Sequence, residues 1–133
     1  MLIRDVALWI DKFKNAWLFK DLSKFRDLFQ HTQEYSKGPD HTPLTQTDDI
    51  LKMWREDIIN QSIHSLTVYA LSIDGNMATV YWQIFYKDKR DHSPYAYHGI
   101  YLIYFDDKMN AVSFKQWLMQ GDPAQTKFKE GEK

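Results

Sequence analysis

The chain has 133 residues, 44% of them hydrophobic and 16% aromatic, with 5 Trp, 8 Tyr, 8 Phe and a formal net charge of −1. That is enough apolar content for one folded domain and too short a chain for two cores, while near-neutrality lacks the basic field a nucleic-acid partner needs. The absence of cysteine excludes disulfides, thiolate nucleophiles and Cys-ligated zinc.

The N-terminus carries no apolar signal core, and no run approaches the roughly 18 apolar residues of a membrane span, so a cytoplasmic protein with no membrane partner is expected. Val6, Trp9, Ile10, Phe13, Ala16 and Trp17 recur at helical spacing and predict an amphipathic helix from about Ile3 to Phe19. Leu22, Phe25, Leu28 and Phe29 repeat the pattern after a break at Lys20-Asp21. His31 to Lys37 reads as a short strand, and Gly38 to Pro43, with two prolines and a glycine, reads as a loop. Thr47-Asp48-Asp49 marks a third helix start, with Thr47 as the cap and two acids at the positive dipole end. Ile50, Met53, Trp54 and Ile58 form its apolar stripe.

From Ser62 the period becomes two, with Leu66, Val68 and Ala70 on one strand face. A three-residue turn at Asp74-Gly75-Asn76 is expected, because it pairs Leu66 with Ile84, Val68 with Trp82 and Ala70 with Val80. Thr79 to Lys87 returns, Asp88 to Ser93 is a polar loop, and two aromatic strands, Tyr95 to Phe105 and Ala111 to Met119, flank the turn Asp106 to Asn110. Apolar residues fill both faces of those last strands, so the sheet should be covered on both sides. Residues 121–133 read as a loose tail beyond a single domain over 1–120. Helices followed by a strand meander imply an α+β fold, three helices on one face of an antiparallel sheet.

Taken together, Trp9 and Trp17, the Leu28-Phe29 helix ending, Ile50-x-x-x-Trp54, Ala78-Thr-Val-Tyr-Trp82, Gly99-x-Tyr-x-Ile-x-Phe105-Asp106 and Phe114-x-x-Trp117 resemble the nuclear transport factor 2-like superfamily, nearest its SnoaL-like branch. The resemblance covers about residues 5 to 119. It implies a cone-shaped fold, a strongly bent sheet around a long helix with an apolar pocket at the wide end, and a homodimer joined through the outer sheet face. The sequence departs from that pattern in three places. Asp106 to Asn110 and Thr45 to Asp48 each lack a usual glycine, and Gln116 stands where an acid commonly precedes the tryptophan.

The resemblance further implies either a binder of a small hydrophobic molecule or an isomerase, cyclase or dehydratase that moves protons with a carboxylate or an Asp–His pair. A protein-interaction module is the third reading. Candidate proton-transfer groups are His98, within the aromatic strand, and His41, beside Asp40 in the proline loop; Tyr35, next to Glu34, could donate to a bound carbonyl oxygen. A lone strand histidine is more often a hydrogen-bonded core or interface group, and a loop Asp-His pair is usually just loop. The candidate pocket set is Trp9, Phe13, Trp17, Tyr35, Trp54, Trp82, His98 and Trp117, with Trp54 and Trp117 expected nearest the ligand and Tyr86, Tyr97 and Tyr101 expected as surface or dimer contacts. His31, Glu34 and His41 match no ligand spacing, so no metal is expected, and no phosphate loop or hydrolase motif points to a cofactor.

Overall fold

The computed structural model describes residues 3–120, and the expected tail over 121–133 lies outside them. The elements run α1 (Ile3–Leu18), α2 (Leu22–Phe29), β1 (Glu34–Ser36), α3 (Thr47–Ile58), β2 (Gln61–Asp74), β3 (Met77–Asp88), β4 (Pro94–Phe105) and β5 (Ala111–Gln120). This is the order read from the sequence. The five strands form one sheet, β1-β5-β4-β3-β2, curled but not closed. It is mixed rather than antiparallel throughout, because β1 pairs parallel with β5.

α1 lies in the curl. Its whole apolar stripe is buried, and Phe13, fully buried, makes edge contacts with Phe25, Phe29, Trp54 and Tyr101 at ring-centroid separations of 5.4–6.3 Å. α2 starts behind a working cap, Asp21, whose carboxylate accepts from the Lys24 N–H. α3 departs from expectation at the same point. Gln46 is its N-cap without a side-chain bond, and Thr47, already helical, turns its hydroxyl to the Gln30 carbonyl at 3.5 Å.

The β2–β3 pairing Leu66–Ile84, Val68–Trp82 and Ala70–Val80 is as read, but the turn is not. Asp74 pairs with Met77 across the two-residue loop Gly75-Asn76, with Gly75 at φ 59 supplying the left-handed backbone. The register is recovered by a bulge at Leu71, and a second bulge sits at His64. Each extra residue flips the side-chain alternation, so Gln61 and Ile63, then Leu66, Val68 and Ala70, then Ile73 all face α1. Bulges bend the strand that carries them, and these two help curl the sheet.

The Asp106 to Asn110 turn does without its glycine by placing Met109 at φ 64. Asp106 locks that conformation, accepting from the Lys108 and Asn110 N–H groups at 2.9 Å and from the Asn110 amide at 3.0 Å.

The inner sheet face and the helices make the core. On the outer face Phe85 and Ala96 bury each other's surroundings, while Tyr69, Leu71, Tyr104, Trp117 and Met119 are exposed.

Candidate functional site

α3 ends near one edge of the curl, and the spacing Trp54, Asp57, Ile58 sets all three on one helix face. Opposite them the inner face of the sheet brings Trp82, Ile84 and Tyr86 from β3, Tyr97 and Tyr101 from β4, and Gln116 and Leu118 from β5. Trp17 of α1, Tyr35 of β1, Gln61 of β2, Lys37 and His41 complete the wall of a cavity of about 420 Å³. That volume falls within the roughly 300–1,000 Å³ usual for small-molecule sites.

Trp17 is flanked by Trp54 and Trp82 at ring separations of 5.0 and 6.0 Å. Its indole N–H donates to the buried Gln61 Oε1 at 2.9 Å. Its two neighbours differ: Trp54 Nε1 and Trp82 Nε1 are buried without a hydrogen-bond partner, and so is the Tyr35 hydroxyl. Buried polar groups are nearly always paired, and an unpaired one costs about 1–3 kcal/mol. Three such atoms, all on residues that line one cavity but each closed off from it, are a concentrated exception.

Gly99 contributes by having no side chain. A Cβ there would stand 3.0 Å from Trp82 Nε1 and 1.9 Å from the Trp117 carbonyl oxygen, so only glycine permits β4 and β5 to approach this closely in front of the indole.

The electrostatics centre on Asp57. Burial pushes its carboxyl up from the ordinary value of 3.8, and Lys37, at 3.6 Å, pulls the other way. The Tyr35 phenol is driven well above 10.0 by burial and then by the field of Asp57, while the Trp54 indole N–H, close to its oxygen but short of a well-formed hydrogen bond, pulls the other way. Tyr101 is raised likewise by burial, then by Tyr35 and Asp57. At the mouth, Tyr86, Tyr95 and Tyr97 stack at 5.4–6.2 Å, and burial with the neighbouring phenols pushes Tyr86 up to about 12. Phenols are therefore neutral donors here, and Asp57, its side chain half-exposed, is held above the ordinary carboxylate value.

Of the residues singled out from the sequence, Trp17, Tyr35, Trp54, Trp82 and His41 line the cavity. Four do not. His98 pairs with Gln83 and Met119 and, lying between Tyr97 and Gly99 in the strand alternation, faces outward. Trp117 sits on the outer face at 42% exposure. Phe13 is spent in the core, and Trp9 packs at the opposite end against Phe13, Phe29, Phe105 and Phe114. The loop does bring His41 inward over Gly38, but no bond joins it to Asp40 among the described residues. Tyr86, Tyr97 and Tyr101, expected at the surface, are on the cavity wall.

Asp57 was absent from the sequence candidates, although its signal is there: it continues the stripe of Ile50, Met53, Trp54 and Ile58, an acid on an apolar helix face. No group of three or more His, Asp or Glu side chains able to hold a metal occurs among the described residues. Nor is any described helix long and apolar enough to cross a membrane.

No family model matches the sequence, and no curated protein does. Solved structures define the fold. The chain has the NTF2-like fold in the form seen in SnoaL-like proteins. A Bacillus subtilis protein provisionally described as an isomerase is 18% identical, with a TM-score of 0.71 over 98% of this chain and 95% of that one. A Mesorhizobium loti protein provisionally described as a SnoaL-like polyketide cyclase is 8% identical, with a TM-score of 0.66 over 88% and 99%. An LEH-like epoxide hydrolase from M. tuberculosis is 10% identical, with a TM-score of 0.65 over 88% and 81%.

Proposed function

We propose that the chain binds a small, flat, largely apolar molecule in the cavity beneath α3. The observation that carries this reading is a cavity of about 420 Å³ whose wall gathers Trp17, Trp54 and Trp82 with Tyr35, Tyr86, Tyr97 and Tyr101. The structural neighbours include proteins described as a cyclase, an isomerase and an epoxide hydrolase, which supports a fold suited to small ligands. The test is a titration of a naphthalene-sized probe followed by tryptophan emission. Saturable binding that is lost in Gln116→Trp, which fills the cavity from β5, is the expected result. An unsaturable response, or one indifferent to that substitution, overturns the reading.

A second reading, proton transfer on the bound molecule, is favoured by Asp57. A carboxyl raised above its ordinary value on the wall of a cavity lined by neutral phenols has the equipment for isomerase, cyclase or dehydratase chemistry. His41 at the mouth is the remaining histidine candidate, and His98 faces the wrong way. Deuterium exchange into acidic C–H positions of a bound compound, followed by NMR, should be abolished in Asp57→Asn and retained in His41→Ala.

The same proposal includes a homodimer joined through the outer sheet face, supported by exposed Tyr104, Trp117 and Met119. A light-scattering mass that halves in Trp117→Glu is the expected outcome.

A further inference from the structure

The end of α1 carries a lysine where a helix ordinarily carries a glycine. The Lys20 N–H donates to the Trp17 carbonyl at 3.2 Å and the Asp21 N–H to the Ala16 carbonyl at 2.9 Å, the paired bonds of a Schellman ending. That ending requires a left-handed residue at the position of Lys20, which stands at φ 53. Glycine adopts this backbone freely, and a lysine does so against steric resistance. What the lysine supplies is a directed amine: its Nζ donates to the Gln61 carbonyl oxygen at 2.6 Å.

A second lysine arrives at the same place. Lys89, one residue past β3, donates its backbone N–H to the Asn60 carbonyl at 2.7 Å, which sets it beside the start of β2. Its side chain reaches that of Lys20 and acts on it directly. Among the described residues neither ammonium has a carboxylate partner. The acids adjacent in sequence are taken, Asp21 by the Lys24 N–H and Asp88 by Arg90. Burial first, and the neighbouring Lys89 second, lower Lys20 from the ordinary 10.5 to about 8. Roughly a tenth of such an amine is neutral at pH 7, several hundred times the share of an ordinary lysine.

An amine set between a fixed carbonyl and a cation suits one electrophile in particular. In the reaction with dissolved carbon dioxide, the Nζ lone pair attacks the carbon and water takes one N–H proton. The product, an N-carboxylysine, carries one negative charge and retains an N–H. That N–H can keep the bond to the Gln61 carbonyl, and the new carboxylate turns a cation–cation contact into an ion pair with Lys89. An acetyl group would remove the repulsion without supplying the counter-ion. We infer that Lys20 is a carbon dioxide site, where the amine becomes a carbamate held between the Gln61 carbonyl and the Lys89 ammonium. Neither lysine lines the cavity, so this site stands apart from the ligand proposed there.

The test uses the full chain equilibrated at neutral pH with isotopically labelled bicarbonate, alkylated in place with a trialkyloxonium salt and mapped by peptide mass spectrometry. Trapped carbamate at Lys20 should exceed that at any other lysine by about tenfold or more. Lys89→Ala, a change at an exposed side chain, should lower it about fivefold or more, because the repulsion that keeps the amine neutral and the counter-ion are lost together. Lys89→Arg keeps a cation in place and should retain most of the yield. Trapping at Lys20 no greater than at the other lysines, or a yield indifferent to Lys89→Ala, overturns the inference. Inorganic phosphate binding at the pair with no adduct on Lys20 overturns it too, in favour of a plain anion site.

Discussion

The two ends of the aromatic core use the same residue types to opposite purpose. Away from the cavity, Trp9, Phe13, Phe29, Phe105 and Phe114 close on one another at 5.4–6.3 Å and bury no polar side-chain atom without a partner. At the cavity end, Trp54, Trp82 and Tyr35 pack as tightly, with Tyr35 stacked on Phe114 at 4.7 Å, yet keep three polar atoms unpaired. Aromatic richness alone therefore does not mark a site. What separates the two ends is a set of polar handles that the fold has left without a hydrogen-bond partner.

The largest effect should come from the closed end. Phe13→Ala removes the ring on which both helices and the sheet converge and is expected to cost about 3–5 kcal/mol in chemical denaturation. A sharper contrast lies within the tryptophan cluster. Trp17→Phe orphans Gln61 Oε1, whereas Trp54→Phe orphans nothing, so the first should cost about 1–3 kcal/mol more than the second. Equal costs would mean that the partnered and unpartnered indoles are not different in kind.

Smaller and opposite in sign, Tyr35→Phe deletes a buried hydroxyl with no hydrogen-bond partner and should raise stability by about 1 kcal/mol in chemical denaturation. Smallest is the pH effect of Asp57. Its folded-state value lies above the ordinary 3.8, so between the two the folded chain holds the extra proton. Stability should then fall as pH rises through that interval and stay lower above it. Asp57→Asn should flatten this segment of a Tm-against-pH curve; an unchanged slope would show that the carboxyl is not strained by its site.

Element order and the β2–β3 register were legible because both rest on periodicity, which Leu66, Val68, Ala70, Val80 and Trp82 display plainly. The bulges were less so, though the three-residue steps Ile63 to Leu66 and Ala70 to Ile73 are their trace. The true end of the turn was hidden by the Leu71 bulge, since one extra strand residue mimics one extra turn residue. The short β1 joined parallel to β5 depends on a contact between residues nearly eighty positions apart, which no local pattern encodes. At the site, Trp17, Trp54 and Trp82 were found by bulk. Asp57 reads in the sequence as an error in the period, an acid on a stripe, and alternation with Tyr97, not imidazole chemistry, decides where His98 points.

The β2 bulges have a consequence for how such a chain can vary over generations. Ala70 and Ser72 already pair with the adjacent residues Val80 and Thr79, so loss of Leu71 would leave every other partner in place. The same holds at His64, whose neighbours Ile63 and Ser65 pair with Tyr86 and Phe85. Single-codon deletions at these two points alter curvature without rewriting the ladder. The one at His64 lies beside Gln61 and Tyr86, on the cavity wall. Natural selection thus has, in one codon, a dial on the bore of the cavity.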